Sequence, residues 1–176
     1  MDEIRLHKKP IKAIIILAGS TCFVFFGIWE ISKENIDTYT FIMGYLTIAF
    51  FGLGIAVGLY HLLDRKPQII LNKEGIWDRS TKQKLIPWNL IKNAYPINIS
   101  GQKFISLELD KDFEKEIKQY KWATKFNKAI GAQTINLQLG QLNVNSNRLT
   151  DLILRMTKLD ITERTKEIKN VAQQKI

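Results

Sequence analysis

Few side chains in this sequence are of the kinds that carry reactions. There are two histidines, His7 and His61, and one cysteine, Cys22. The histidines sit at the margins of long apolar stretches and Cys22 lies inside one of them. General-base chemistry needs its partners within hydrogen-bond reach, and a metal needs several ligands gathered at one point. This spacing offers neither. There is no CxxC, HExxH or GxSxG and no glycine loop suited to cradling phosphate. The acids of the second half of the chain occur singly or on helix turns exposed to water. We therefore expect no catalytic residue, no cofactor, no metal and no small-molecule substrate: the sequence reads as a protein that is not an enzyme. One thiol also rules out an intramolecular disulfide framework, which suits a reducing compartment.

What surrounds these residues is more informative. Ala13 to Trp29 contains no charged side chain, and from Thr40 to Leu63 the only break is His61. A hydrocarbon core about 30 Å thick calls for roughly 20 helical residues, and both runs are of that length. Neither has the polar face of a surface helix. A cleaved signal peptide would also set basic residues before an apolar run. Here that run is too long and no Ala-x-Ala site follows it.

Between the runs lies "EISKENIDTY", in which Glu30, Glu34 and Asp37 outnumber Lys33. Arg5, Lys8, Lys9 and Lys12 precede the first run, and Arg65 and Lys66 follow the second. Lys and Arg collect on cytoplasmic loops. The expectation is a two-pass helical hairpin with both termini cytoplasmic. It occupies residues 1–66, with helices at about 11–31 and 40–63. Trp29, Tyr39, Tyr60 and His61 fall where amphipathic rings favour the membrane interface. Gly54 and Gly58 form a GxxxG pair on the second helix, opposite Ala18, Gly19 or Ser20 of the first. Such a pair lets two backbones approach closely, although glycine is common in membrane helices generally.

Residues 67–176 read differently. "QIILNKEGIWDRS" alternates about a Lys73-Glu74-Gly75 turn, as a β-hairpin does. "KLIPWNLIKNAYPINIS" and "GQKFISLELD" continue as strands meeting near Gly101, so that four or five short antiparallel strands follow one another. Pro87 and Pro96 belong at edges or bulges, because proline cannot donate to a ladder. Trp88 is expected to be buried against the final helix.

Asp110 to Ile130 has the helical period. Phe113, Ile117, Tyr120, Ala123, Phe126 and Ile130 lie on one side; Lys111, Lys115, Lys118, Lys121, Lys125 and Lys128 lie on the other, with Trp122 among the lysines. Two more strand-like pieces meet around Gly140. Asn145 or Ser146 then caps a helix carrying Leu149, Leu152, Ile153, Met156 and Leu159. From Thr162 onward this final helix turns polar, and that end is expected to project or fray.

"LNKEGIWD" (Leu71 to Asp78), "LIPWNLIKN" (Leu85 to Asn93) and the stretch from "GAQTINL" into "NSNRLTDLI" resemble segments of small bacterial membrane proteins. Those proteins carry an N-terminal transmembrane hairpin and a cytoplasmic pleckstrin-homology-like domain. The resemblance spans nearly the whole chain and its motifs are structural. It implies an α+β domain with an antiparallel sheet or barrel closed by a C-terminal helix, in a protein of the bacterial cytoplasmic (inner) membrane. The helix at Asp110–Ile130 would be an insertion in that plan. Many such proteins have no assigned activity.

Residues 64–176 hold 21 Lys and Arg against 12 acids. Anionic headgroups attract a basic residue near the surface by about 1 kcal/mol, and nucleic acid would attract it too. A membrane tether makes lipid the nearer polyanion, so membrane lipid and a protein partner are the expected contacts, and nucleic acid is not. Lys111, Lys115, Lys118, Lys121, Trp122, Lys125 and Lys128 are the candidate contact residues. The bland alternatives are that the lysines only keep that face solvated and that Trp122 packs on a neighbouring element. The resulting expectation is a membrane-anchored interaction module. The alternative is an immunity or inhibitor protein that neutralises a toxin at the inner membrane.

Overall fold

The computed structural model describes residues 3–81, 83–116 and 133–174. It contains two long apolar helices near the N-terminus and an α+β region built on antiparallel sheets. The chain divides into two units, Lys9–Arg65 and a second made of Met1–Lys8 with Lys66–Ile176.

In the first unit α1 (Ile11–Ile31) and α2 (Thr38–Leu63) run antiparallel. Their mean hydropathies are 2.2 and 2.0, yet only 17% and 11% of their most apolar windows are buried within the chain. A soluble core helix would hide such side chains. Here Phe25, Phe50, Leu53 and Leu63 are among many left exposed. Both helices are long and apolar enough to cross a membrane, consistent with a two-pass protein.

The seam between them uses small residues. Ala13, Ser20 and Gly27 of α1 are buried at seven-residue intervals, as are Gly44 and Gly58 of α2 at twice that interval. A seven-residue repeat keeps one stripe of a helix facing its neighbour. A Cβ on Gly27 would stand 3.1 Å from the carbonyl oxygen of Gly44, and one on Gly58 would stand 3.2 Å from the Leu17 backbone. Gly54 faces Ser20. Phe23 and Phe51 stack with centroids 4.2 Å apart. Of the three counterparts expected on α1, only Ser20 is in the seam. Ala18 and Gly19 are exposed, and Gly19 has nothing near it. The helical period rotates them away from the contact.

Four strands form one sheet of the second unit, in the order β1 (Glu3–Leu6), β2 (Ile69–Asn72), β3 (Gly75–Asp78), β4 (Ile86–Pro87). A further three, β5 (Ile91–Ile99), β6 (Gln102–Leu109) and β7 (Ile135–Gln138), form the other. The β2–β3 loop is set by Asn72, whose Oδ1 accepts from the amides of Glu74 and Gly75 at 2.9 Å each. Gly75 has no room for a Cβ, because the carbonyl of Ile86 occupies that place. Between β5 and β6, Ser100 (φ 50°) and Gly101 (φ 80°) both take positive φ, as a type I′ hairpin requires. Pro87 and Pro96 lie on β4 and β5, each the edge strand of its sheet.

One core unites the two sheets. Ile69, Leu71, Ile76, Trp88, Ile105, Leu107, Ile135 and Leu137 are fully buried in it. Trp88 opens a 3-10 turn (Trp88–Leu90) where the chain passes from one sheet to the other. Its ring is completely buried and its Nε1–H donates to the Asn72 carbonyl at 2.8 Å. Helix α3 (Lys111–Glu116) follows β6, and α4 (Ser146–Lys158) packs on β5, β6 and the Trp88 turn. Asn145 caps α4, accepting from the amides of Asn147 and Arg148. Leu149, Leu152, Ile153 and Met156 are buried from this helix.

Two expectations need correction. The sequence places the N-terminal residues in the hairpin alone, as its basic flank; in the structure Glu3–Leu6 is a strand paired antiparallel with β2, from Glu3↔Asn72 to Leu6↔Ile69. Alternation in Glu3-Ile4-Arg5-Leu6 carries that information, since Ile4 enters the core and Arg5 is exposed. The polar C-terminal stretch was expected to project or fray; instead α5 (Ile161–Gln174) packs on β1 and β2, with Ile168 fully buried. Asp160 accepts from the amides of Thr162 and Glu163, while Glu163 accepts from the amide of Asp160, a reciprocal cap that starts the helix. Arg164 Nε donates to the last-turn carbonyl of Met156 and ties α5 to α4.

Candidate functional site

Of the lysines expected to share one face, the first two fall within α3. A bulge in β5 prepares it: Ile91 opposes Leu109 and Asn93 opposes Glu108, leaving Lys92 as the extra residue. The bulge changes which side chains face inward, so that Ile91 and Ala94 are buried while Lys92 and Asn93 are exposed. Lys92 Nζ then reaches the Asp110 carboxylate at 2.9 Å. The hydrogen bond to Asp110, and its charge, raise the Lys92 pKa above 10.5. Asp110 also accepts from the amide of Asp112, and its own amide donates to the Leu90 carbonyl. The first residues of α3 are thus fixed to the sheet edge.

Lys111 projects from that fixed start and is exposed, and Phe113 is partly buried against the core. Lys115 lies four residues on, within α3. Lys118, Lys121, Trp122, Lys125 and Lys128 lie outside the described residues.

Other polar groups of the sheet unit are engaged in holding it together. Asp78, 2% exposed, accepts from Gln68 Nε2 and from the amide and hydroxyl of Ser80. Ser106, fully buried, donates to Asn136 across β6 and β7, and Gln133 Nε2 donates to the Tyr95 hydroxyl. Among the described residues no buried side-chain polar atom lacks a hydrogen-bond partner. No group of three or more potential metal ligands is found among them either. His7 is exposed just after β1; His61 lies edge-on to Tyr60 at the end of α2; Cys22 is exposed on α1.

The connector of the hairpin has its own order. Lys33 Nζ sits 3.9 Å above the centre of the Trp29 ring and pairs with Glu30 at 2.7 Å. Asp37 caps α2, accepting from the Thr40 amide at 3.1 Å and the Thr40 hydroxyl at 2.6 Å. The Thr40 side-chain bond, then the amide bond, hold the Asp37 carboxyl below its ordinary pKa.

Two features escaped the reading of the sequence. The Gly27–Gly44 contact is signalled only by the seven-residue spacing of Ala13, Ser20 and Gly27. The bulge at Lys92 has no local signature in the sequence at all. No protein-family model, no curated protein and no solved structure matches this chain.

Proposed function

We propose that this is a non-enzymatic, membrane-anchored interaction module. Its hairpin crosses the bacterial cytoplasmic membrane twice, with both termini cytoplasmic. The polar unit is a pleckstrin-homology-like domain that meets the anionic inner leaflet or a protein partner held there. The observation that carries this reading is the pairing of β1 with β2. The segments entering and leaving the apolar hairpin are neighbouring strands, which supports placing both on one side of the bilayer. The basic residues flanking the hairpin favour the cytoplasmic side. Four strands plus three, followed by packed helices, support the pleckstrin-homology-like plan.

The excess of Lys and Arg in residues 64–176 supports contact with an anionic surface. Such attraction decays over about 8 Å at physiological ionic strength. The test uses the full chain in nanodiscs of neutral lipid or of lipid one-third anionic. Hydrogen exchange across residues 111–128 should slow in the anionic discs at low salt and recover at high salt. Replacing Lys118, Lys121 and Lys125 together with Gln should abolish the difference. Identical exchange in both lipids would overturn the lipid contact and leave a protein partner as the occupant.

A further inference from the structure

The covalent order of the chain and the order of the strands conflict in an informative way. Strands β1 and β2 are direct neighbours, in register over Glu3↔Asn72, Ile4↔Leu71, Arg5↔Ile70 and Leu6↔Ile69. A final bond, from the Gln68 amide to the Leu6 carbonyl, extends the ladder by 2.8 Å geometry toward the hairpin. Antiparallel neighbours are ordinarily joined by a tight turn of a few residues. Here everything between Leu6 and Gln68 intervenes, including both apolar helices.

We propose that β1 is a conditional strand: the sheet unit is completed only when both α1 and α2 span the membrane. The inference rests on the two-pass reading given above. With both helices across, residues 3–6 and 69–72 are on one side and can pair. With only one across, they are divided by a hydrocarbon core about 30 Å thick, whereas paired strands lie about 4.8 Å apart. No adjustment of loops spans that difference. The fold of the polar unit therefore reports on the topology of the hairpin.

The cost of an absent β1 falls on a defined part of the molecule. Ile4, 7% exposed, leaves the core cluster that contains Ile69, Leu71 and Ile168. Helix α5 loses one of the two strands it packs on. The outer edge of β2 is left bare, and an open edge invites pairing with other chains. The hairpin, by contrast, prepares the closure. Leu17 near the start of α1 lies against Gly58 near the end of α2, so the two chain ends are brought together once the helices pack. Strand β1 has only four residues, two of them exposed or half-exposed ions, Glu3 and Arg5, bonded to each other. So short a strand is a weak element alone and depends on that prior approach.

The test places cysteines at Arg5 and Ile70, which oppose one another on the outer face of the sheet, in full-length Cys22→Ser protein in membranes. Oxidation with copper phenanthroline should give an intramolecular disulfide in most of the protein. A chain lacking residues 11–31 has one span; its cross-linking should fall at least tenfold, and its polar unit should become sensitive to protease. Ile4→Asp, with both spans kept, should produce the same protease sensitivity, tying the effect to the strand rather than to the missing helix. Equal cross-linking with one span, or a resistant polar unit in Ile4→Asp, would overturn the proposal. Labelling at Asn35 and at the C-terminus separates the two levels. With a third label at Glu3, labels at Glu3 and the C-terminus on one side and at Asn35 on the other, without a cross-link, refute the conditional strand alone, and any other distribution refutes the two-pass reading on which it stands.

Discussion

Trp88 illustrates how much one side chain holds. Its ring fills the place where the chain changes sheets, and its indole N–H satisfies the carbonyl of Asn72 at the β2–β3 loop. Truncating a buried aromatic costs about 3 to 5 kcal/mol. Trp88→Ala should therefore remove the cooperative unfolding of the polar unit in the full-length protein, followed by hydrogen exchange of β2 and β6. Trp88→Phe retains most of the volume but orphans the carbonyl, a loss of about 1 to 3 kcal/mol. Equal exchange in all three proteins would show that the ring does not hold the sheets.

Lys92 and Asp110 make a weaker, pH-dependent contribution at the surface. The folded pKa of Lys92 is raised, so the contribution is fully present below the unfolded value of 10.5 and is lost as pH rises through the folded one. Lys92→Gln should lower stability slightly and evenly from pH 7 to 9, and the difference from the natural protein should disappear in stronger alkali. A difference that varied between pH 7 and 9 would assign the effect to another group. Both side chains are substantially exposed, so added salt should shrink it.

At the scale of elements, the α1–α2 seam makes a sharp contrast between glycines. A side chain at Gly44 would collide with Ile31 and approach the Gly27 carbonyl, whereas one at Gly52 meets nothing within 4 Å. Overpacking of this kind costs about 1 to 3 kcal/mol. Gly44→Leu should lower the melting temperature of the hairpin in detergent, and Gly52→Leu should leave it unchanged. Equal effects would mean that the close approach of Gly27 and Gly44 does not hold the helices. The same scale explains α5: a reciprocal cap, the Arg164 bond to Met156, and Ile168 and Val171 packed on the core dock a helix whose other side chains are mostly polar.

For the whole molecule, the decisive property is orientation. Reporter fusions at Asn35 and at the C-terminus should mark opposite sides of the membrane, the C-terminus being cytoplasmic. Fusions marking the same side would exclude the hairpin topology and with it the proposed location of the polar unit. The N-terminus must share the side of the C-terminal unit in any membrane arrangement that preserves the β1–β2 ladder.

The features readable from sequence alone are those set by neighbouring residues. Two uncharged runs of membrane length, the Lys73-Glu74-Gly75 turn, the Gly101 hairpin and the apolar stripe of α4 each depend on local composition or period, and each has its counterpart in the structure. Tertiary structure alone decided the rest. The pairing of Glu3–Leu6 with Ile69–Asn72 joins segments separated by the entire hairpin, and no local period specifies a distant partner. The seam of Gly27 and Gly44 depends on how two helices rotate about each other, and the place of α5 depends on two strands, β1 and β2, that are remote from it in sequence. Local chemistry determined which elements form; contact between remote segments determined that the strand before the hairpin belongs to the sheet after it.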